Sequence, residues 1–542
     1  MQRLICALMM CVGGSTIAGP ATAEPPPALE TAIAGLPQHA LTGRAIANEV
    51  ALARAVYASS GSLLWSTQGG LSEQARALMK MVHEAGTFGL IPDDYGDGQL
   101  VKSLDSAAES SDPAQFDVWL TLCAARFISH LHYGRIDPHR AGFELNEPRD
   151  DLDIVSAVIA MSSTRDVAAF AMQTEPHFFH YGLLKLALER YRQLALDSSL
   201  TQLPAIGHTL HRGDPYAGST ALRKLLMAEG DLPISTDSAI GTQLPIDATV
   251  SEALERYQMR HGLAVDGYLS METWRALTTP LSTRVRQIEL TLERWRWLPP
   301  FSTPPIIVNI PQFQLFAFDT TADRAASILQ MPVIVGQTYP GKRTPVFVGD
   351  LKYIIFRPYW DIPRDIALRE MLPTMRRDPD YLKRNHLELV RGENEDGAIV
   401  PPSVESMTEL AAGGLRVRQQ PGADNALGLV KFVFPNAHDV YMHSTPARNL
   451  FLAARRAFSH GCIRVSDPEG LADFVLKNAA GSWDRARIEA AMQDTSSLRV
   501  DLIKPIRVMI LYGTAMATEA GAVQFFDDIY GHDRQLSALL GL

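Results

Sequence analysis

At Pro304 the hydrophobic period of this chain changes, and that change constrains its fold more than any other feature. Upstream, apolar residues recur at three- and four-residue spacing, as in Ala45 to Tyr57, Ser72 to Ala85, Ala114 to Tyr133 and Tyr181 to Leu194. That spacing marks one face of a helix. From Pro304 the period is two. The runs are Ile306 to Ile310, Gln314 to Phe318, Ile328 to Val335, Tyr353 to Phe356, Lys431 to Phe434 and Val440 to His443. Ile506, Val508 and Ile510 alternate in the same way, and Val523 to Phe526 adds a last run. Such runs between tight turns read as strands. A helical half followed by a strand half predicts an α+β, multidomain chain. The 542 residues fit three or four domains of ~150 residues each.

Residues 1–23 read as an export signal. Met1-Gln2-Arg3 is a short basic start, Leu4 to Val12 an apolar run, and Ala21-Thr22-Ala23 a small-residue cleavage site. The run is shorter than the ~20 residues a membrane span needs, and no later stretch is long enough. Cleavage after Ala23 leaves no transmembrane span; an uncleaved signal would anchor the chain in the inner membrane. Met10 before Cys11 fits a lipoprotein signal poorly. Cleavage removes Cys6 and Cys11 and leaves Cys123 and Cys462. Exported proteins tend to pair their cysteines or lose them. Cys123 lies in an apolar helical pattern and reads as core, so Cys462 is a free thiol that needs a job.

Residues 24–213 form a helical domain behind a Pro- and Ala-rich tether. Gly89 to Tyr95 interrupts it as a loop. His130 and His132 sit two apart on a helix and do not face each other, so their reading is structural. Residues 214–280 form a small module with helices over Leu222 to Glu229, Ala248 to His261 and Ser270 to Leu277. Asp266-Gly267 is a turn pair and Ser270 a helix cap. Leu263, Val265 and Trp274 are its expected core, and Pro233 to Pro245 reads as an insertion. Residues 281–303 are a linker helix. Its Arg284, Arg286, Glu289, Glu293, Arg294 and Arg296 describe a solvated face, and Trp295 and Trp297 dock it on the next domain. Residues 304–530 are the β domain and 531–542 a tail. Within the β domain, about 357–428 lacks a strand pattern and opens with Pro358-Tyr359-Trp360-Asp361-Ile362-Pro363. It is a candidate lid.

The chemistry concentrates in Tyr441-Met442-His443-Ser444 and Ser459-His460-Gly461-Cys462-Ile463-Arg464-Val465. A thiol is a useful nucleophile only as thiolate, so it needs a nearby base or positive charge. His443 can supply the base. Gly461 permits a tight turn that brings backbone N–H groups near Cys462 toward a developing oxyanion. On an extended segment Arg464 faces the same way as Cys462, where it could stabilise the thiolate or hold a carboxylate. The plainer alternative is a small core cysteine and a strand histidine. Cys462, His443, His460 and His438 lack the paired spacing of a zinc motif, so no metal is implied. The formal charge of −10 argues against nucleic acid as the main partner.

His443, about fifteen residues, then Ser459-His460-Gly461-Cys462-Ile463-Arg464 resembles the signature of the YkuD-type L,D-transpeptidases. Arg464, where many members have Asn, is similar to the long YcbB-like Gram-negative type. Val335-Gly336-Gln337 with Arg343-Thr344-Pro345 resembles the family's Val-Gly and Thr-Pro segment. The Gly-Leu-x-Val-Asp-Gly order at 262–267 is similar to the peptidoglycan-binding type 1 module. The helical domain resembles the scaffold domain of the YcbB-like enzymes, and the lid their capping subdomain.

The resemblance implies a mostly β YkuD-like catalytic domain that uses no cofactor, in the periplasm of a Gram-negative bacterium. Cys462 would be the nucleophile and His443 the proton acceptor and donor. The Ser444 main-chain carbonyl would orient the imidazole, and N–H groups around His460, Gly461 and Cys462 would receive the oxyanion. The partners would be donor and acceptor stem peptides of peptidoglycan, with a functional link to a D,D-carboxypeptidase that makes the tetrapeptide donor. The product would be a 3→3 cross-link. Tyr441, Trp360 and Arg464 divide between substrate contact and a structural role. Water as acceptor would make the chain an L,D-carboxypeptidase or a wall-tether hydrolase. A reading of another class is a non-catalytic wall-binding scaffold.

Overall fold

The computed structural model describes residues 24–36, 49–67, 70–96, 112–145, 151–233, 244–321, 328–392 and 397–542. The expected export signal and most of the Pro233–Pro245 insertion lie outside them. Contacts divide the chain into two units, one of residues 1–84, 91–130 and 152–174, the other of 85–90, 131–151 and 175–542.

The first unit is helical, as its apolar spacing requires. Glu49–Ser60, Glu73–His83, Ile154–Ser163, Val167–Met172 and most of Pro113–Tyr133 turn apolar stripes inward. Tyr57, Leu78, Val82, Leu122 and Phe127 are fully buried. Ser72 caps its helix by accepting from the Ala75 N–H at 3.0 Å. Asp117 is buried at the centre and accepts from the Tyr57 hydroxyl and the Leu64 and Trp65 N–H groups at 2.7, 2.9 and 2.8 Å. A buried carboxylate needs such partners to offset its lost hydration. Cys123 is buried, and burial pushes its thiol pKa up, so it is inert. His130 is buried against the Tyr95 hydroxyl at 2.9 Å.

In the second unit, helices Ser219–Glu229, Ala248–Arg260 and Met271–Leu277 form the small module. Ser270 caps the last of them at the Thr273 N–H, 3.1 Å away. Gln258, fully buried, holds the turn: its Oε1 accepts from the Asp266 and Gly267 N–H groups at 3.0 and 2.9 Å. Gly267 has φ +69° there, and a Cβ would fall 2.6 Å from Ser251 Oγ. Because this polar clamp locates the turn, Val265 is not needed in the core; contrary to expectation it is 49% exposed. Leu263 and Trp274 do pack, partly buried, against the core.

The charges of Leu281–Arg296 depart further from expectation. Arg284, Glu293, Arg294 and Arg296 are buried rather than solvated. Glu293 accepts from the Arg135 and Ile136 N–H groups at 2.5 and 2.9 Å, and Arg294 pairs with Asp533 at 2.6 Å. The helix is packed on several sides: Trp295 lies against Phe178 and Trp297 against Phe143, with ring centroids 5.0 and 5.6 Å apart. Buried charges persist only when so paired.

The β region closes on itself. Its strands are β1 (Ile306–Asn309), β2 (Gln314–Phe318), β3 (Ile328–Gly336), β4 (Phe347–Phe356), β5 (Val430–Val433), β6 (Met442–His443), β7 (Ala457–Ser459), β8 (Ile463–Val465) and β9 (Leu498–Leu511). The order β3-β8-β6-β5-β4-β9-β1-β2 returns to β3, and β7 joins β3 beyond β2. The closed barrel encloses Val308, Leu315, Val335, Phe432, Met442, Ile463 and Ile510, and among its described strands β7 keeps an unpaired outer edge.

Between β4 and β5 the lid carries its own core of Ile362, Leu372, Leu389, Leu410 and Val417. It contains a four-stranded sheet of Trp360–Asp361, Leu387–Arg391, Ala398–Val400 and Arg416–Gln419, which the sequence reading lacked. Asn425 fastens its exit, donating to the Pro358 and Gln420 carbonyls at 3.2 and 2.9 Å and accepting from the Leu427 N–H at 2.8 Å.

Candidate active site

Strands β6 and β8 run parallel with Met442 opposite Ile463 and His443 opposite Arg464. Side chains alternate along a strand, so Met442, Ile463 and Val465 fill the barrel core. Tyr441, His443, Cys462 and Arg464 then share the other face, with Tyr441 beside Cys462 and His443 beside Arg464. On the far side of β6, Lys431 of β5 stands opposite His443. Its Nζ is 3.8 Å from the centre of the Tyr441 ring.

The turn before β6 is tied by Asn436. Its Oδ1 accepts from the His438 and Val440 N–H groups at 3.0 and 3.2 Å. Asp439 takes φ +52°, uncommon for a residue with a side chain, and its carbonyl faces Cys462 Sγ at 3.7 Å. His438 is engaged elsewhere, 3.0 Å from Glu144.

His443 is buried, and its Nδ1 lies 2.5 Å from the Ser444 carbonyl oxygen. A carbonyl only accepts, so Nδ1 carries the proton and Nε2 keeps its lone pair. Ser444 is held in turn: its hydroxyl oxygen accepts from the Leu429 N–H at 3.0 Å, and a Cβ at Gly428 would sit 2.0 Å from that oxygen. Burial, then the charges of Arg464 and Lys431, lower the His443 pKa to about 3, against the pull of the Ser444 and Leu427 backbone.

Cys462 is partly exposed. Burial raises its thiol pKa, opposed by the Tyr441 backbone and hydroxyl and by Lys431 and Arg464. Both shifts disfavour the charged forms: the histidine is held toward neutral imidazole and the cysteine toward thiol. The imidazole can therefore take the thiol proton as sulfur attacks.

The Tyr441 hydroxyl lies near both Cys462 and Trp360; burial, then the neighbouring Cys462, push its pKa up. Trp360 belongs to the lid sheet, paired with Gln419. Tyr441 thus stands between Cys462 and the inserted sheet. Burial lowers the Arg464 pKa; its Nε is buried without a partner, and no ion pair to it is found among the described residues. An unpaired, half-buried guanidinium suits a carboxylate. The Gly461 N–H, one of the expected oxyanion donors, is already committed to Ser459 Oγ at 3.1 Å. The His460 ring is engaged on two sides, with Nε2 3.1 Å from Glu370 Oε1 of the lid and 2.9 Å from Lys342 Nζ of the segment between β3 and β4. Lys431 and Glu370 went unassigned in the sequence. Lys431 had a signal, its place in a strand ahead of His443; Glu370 had none.

Family models match three segments. A scaffold domain matches residues 51–188, a "Putative peptidoglycan binding domain" residues 218–277, and an L,D-transpeptidase catalytic domain of the YkuD type residues 304–488. The chain carries a YkuD-type L,D-transpeptidase catalytic domain. A Haemophilus influenzae protein named "Putative L,D-transpeptidase" is 31% identical over 280 residues, which is 51% of this chain and 55% of that protein. The chain thus aligns with about half the length of this relative. Both His443 and Cys462 fall inside the matched transpeptidase segment. Strand β9, which pairs with both β1 and β4 of the transpeptidase barrel, lies beyond it. No described helix is long and apolar enough to cross a membrane.

Proposed function

We propose that the chain is an L,D-transpeptidase that forms 3→3 cross-links in peptidoglycan through a thioester on Cys462. The observation that carries this reading is the pairing of β6 with β8, which puts the oriented, neutral His443 on the same face as Cys462.

In this reading the donor is a tetrapeptide stem whose scissile bond joins the L-centre of diaminopimelate to a terminal D-alanine. Cys462 sulfur adds to the carbonyl carbon while its proton passes to His443 Nε2. The carbonyl electron pair moves onto oxygen. Collapse of that intermediate breaks the C–N bond, and D-alanine leaves with the proton from His443. The side-chain amine of a second stem then attacks the thioester, gives its proton to His443, and expels the Cys462 thiolate, which recovers the proton. Arg464 holds the donor carboxylate. Tyr441 and Trp360 wall the stem between barrel and lid. The substrate lies outside the cytoplasm, and we place the protein in the periplasm of a Gram-negative bacterium, supplied with tetrapeptides by a D,D-carboxypeptidase.

The test is mass spectrometry of muropeptides after incubation with purified tetrapeptide stems, beside Cys462→Ala. Cross-linked dimers absent from the variant support the proposal. Tripeptide alone would make the acceptor water and the protein an L,D-carboxypeptidase. Retained wall binding without product would leave a scaffold.

A further inference from the structure

Polar backbone groups of a tight buried turn can be accounted for one by one. In Ser459–Cys462 several are committed. The Gly461 N–H donates to Ser459 Oγ, and the Ser459 hydroxyl donates to the Cys462 carbonyl at 2.5 Å. The Gly461 carbonyl accepts from the Thr344 hydroxyl at 2.7 Å. No partner for the Cys462 N–H is found among the described residues. A trans peptide is planar, with its carbonyl and N–H on opposite sides. By holding the Gly461 oxygen on the buried side, Thr344 turns the Cys462 N–H toward the exposed side.

Thr344 is 1% exposed and is itself tightly held. Its Oγ1 accepts from the Gly336 N–H at 2.8 Å. Its own N–H donates to Tyr530 Oη at 3.2 Å, and the Tyr530 hydroxyl donates to the Gly336 carbonyl at 2.6 Å. Gly336 must be glycine for this, since a Cβ would fall 2.1 Å from the Lys342 carbonyl oxygen. Tyr530 is located through its N–H, which donates to Tyr512 Oη at 3.0 Å, while the Tyr512 hydroxyl donates to Asp528 at 2.7 Å. Tyr530 lies beyond the residues matched by the catalytic-domain family.

We infer that Thr344, braced by Tyr530, is a positioning residue that aims the Cys462 N–H at the oxygen of acyl groups attacked by Cys462. The inference rests on the proposed function only in taking Cys462 as nucleophile. As the S–C bond forms, the carbonyl π pair becomes an oxyanion and the thiol proton rests on His443. The Cys462 N–H donates to that oxyanion until collapse expels the leaving group with the proton from His443. A donor fixed beforehand needs no reorganisation at that moment.

Two reactions of Cys462 in the full chain separate this role from general support of the loop. Acylation by p-nitrophenyl acetate passes through an oxyanion. Alkylation by iodoacetamide displaces iodide at saturated carbon and does not. Thr344→Val should slow acylation about ten- to hundred-fold while alkylation stays within about two-fold. Thr344→Ser, which keeps the hydroxyl, should restore acylation. Tyr530→Phe should slow acylation by a smaller factor with alkylation unchanged, and it decides the matter alone if Thr344→Val does not fold. Acylation that is unchanged, or that falls in step with alkylation, would overturn the inference. D-alanine release from a tetrapeptide is scored separately. Wild type that reacts with p-nitrophenyl acetate but leaves the tetrapeptide intact would sink the transpeptidase reading and leave the Thr344 ratio decisive.

Discussion

His443 Nδ1 is bonded to the carbonyl of Ser444, its own neighbour in the chain. So short a loop fixes the tautomer without any acidic residue. It leaves Nε2 basic in a place where burial and two cations resist a positive charge. Two pH dependences follow from this arrangement.

Acylation of Cys462 should not weaken as pH falls through 6.5, because His443 stays neutral down to about 3. A rate profile of p-nitrophenyl acetate acylation from pH 5 to 8 tests this. An acid limb centred near 6.5 would contradict it.

Stability should move with the opposite emphasis. In the unfolded chain the histidine binds a proton below about 6.5, while the folded one does not until about 3. Its burial therefore costs stability progressively as pH falls through that window and nothing above it. His443→Gln should flatten the fall in thermal midpoint between pH 7 and pH 5. An unchanged slope would count against the buried neutral imidazole.

Arg464→Met should raise KM for the tetrapeptide about ten-fold or more, as expected for losing a charge-assisted bond. A smaller change in kcat is expected, and Arg464→Lys should recover only part of KM, since a point charge replaces a two-pronged donor. Equal KM in wild type and Arg464→Met would remove Arg464 from substrate binding.

The insertion is tied to the Ser459–Cys462 turn by Glu370, whose carboxyl is held below its usual range first by Lys342 and then by His460. All three side chains are partly exposed, so the tie adds about 0–1 kcal/mol to stability. Glu370→Gln should speed hydrogen exchange in Ala367–Met371 and leave the thermal midpoint unchanged. Unchanged exchange there would show that the lid is held by other contacts.

Buried charge in the second unit behaves differently. Glu293→Ala strands the Arg135 and Ile136 N–H groups and removes one of the carboxylates that act on Arg296. A loss of about 3–5 kcal/mol is expected, read as a lower thermal midpoint by calorimetry. A midpoint equal to that of wild type would mean the helix is solvated after all.

Much of this architecture was legible where a residue pattern had a local cause. The helical and strand periods marked the two halves, and Cys462, His443 and the Ser444 carbonyl stood together in short motifs. What stayed hidden depends on contacts between distant segments. Strands β6, β7 and β8 have two or three residues each, too few to display a period. Their register, which makes one site of His443 and Cys462, is a property of pairing. In the lid sheet two strands are as short, and Arg416–Gln419 carries a single apolar residue, Val417, so no run of alternating residues marks it. Arg294 and Arg296 read as solvated because charge alone does not reveal a buried partner. Val265 read as core because a polar clamp by Gln258 leaves no periodic trace.

The central claim is that Cys462 takes up the acyl group of a peptidoglycan stem. Intact-mass measurement of the protein mixed with tetrapeptide stems, quenched in acid within the first turnover, tests it directly. The account predicts an adduct equal to the stem less its terminal D-alanine, mapped to Cys462, absent from Cys462→Ala and lost on adding acceptor stem. D-alanine release with no adduct on Cys462, or an undiminished reaction in Cys462→Ala, would contradict it.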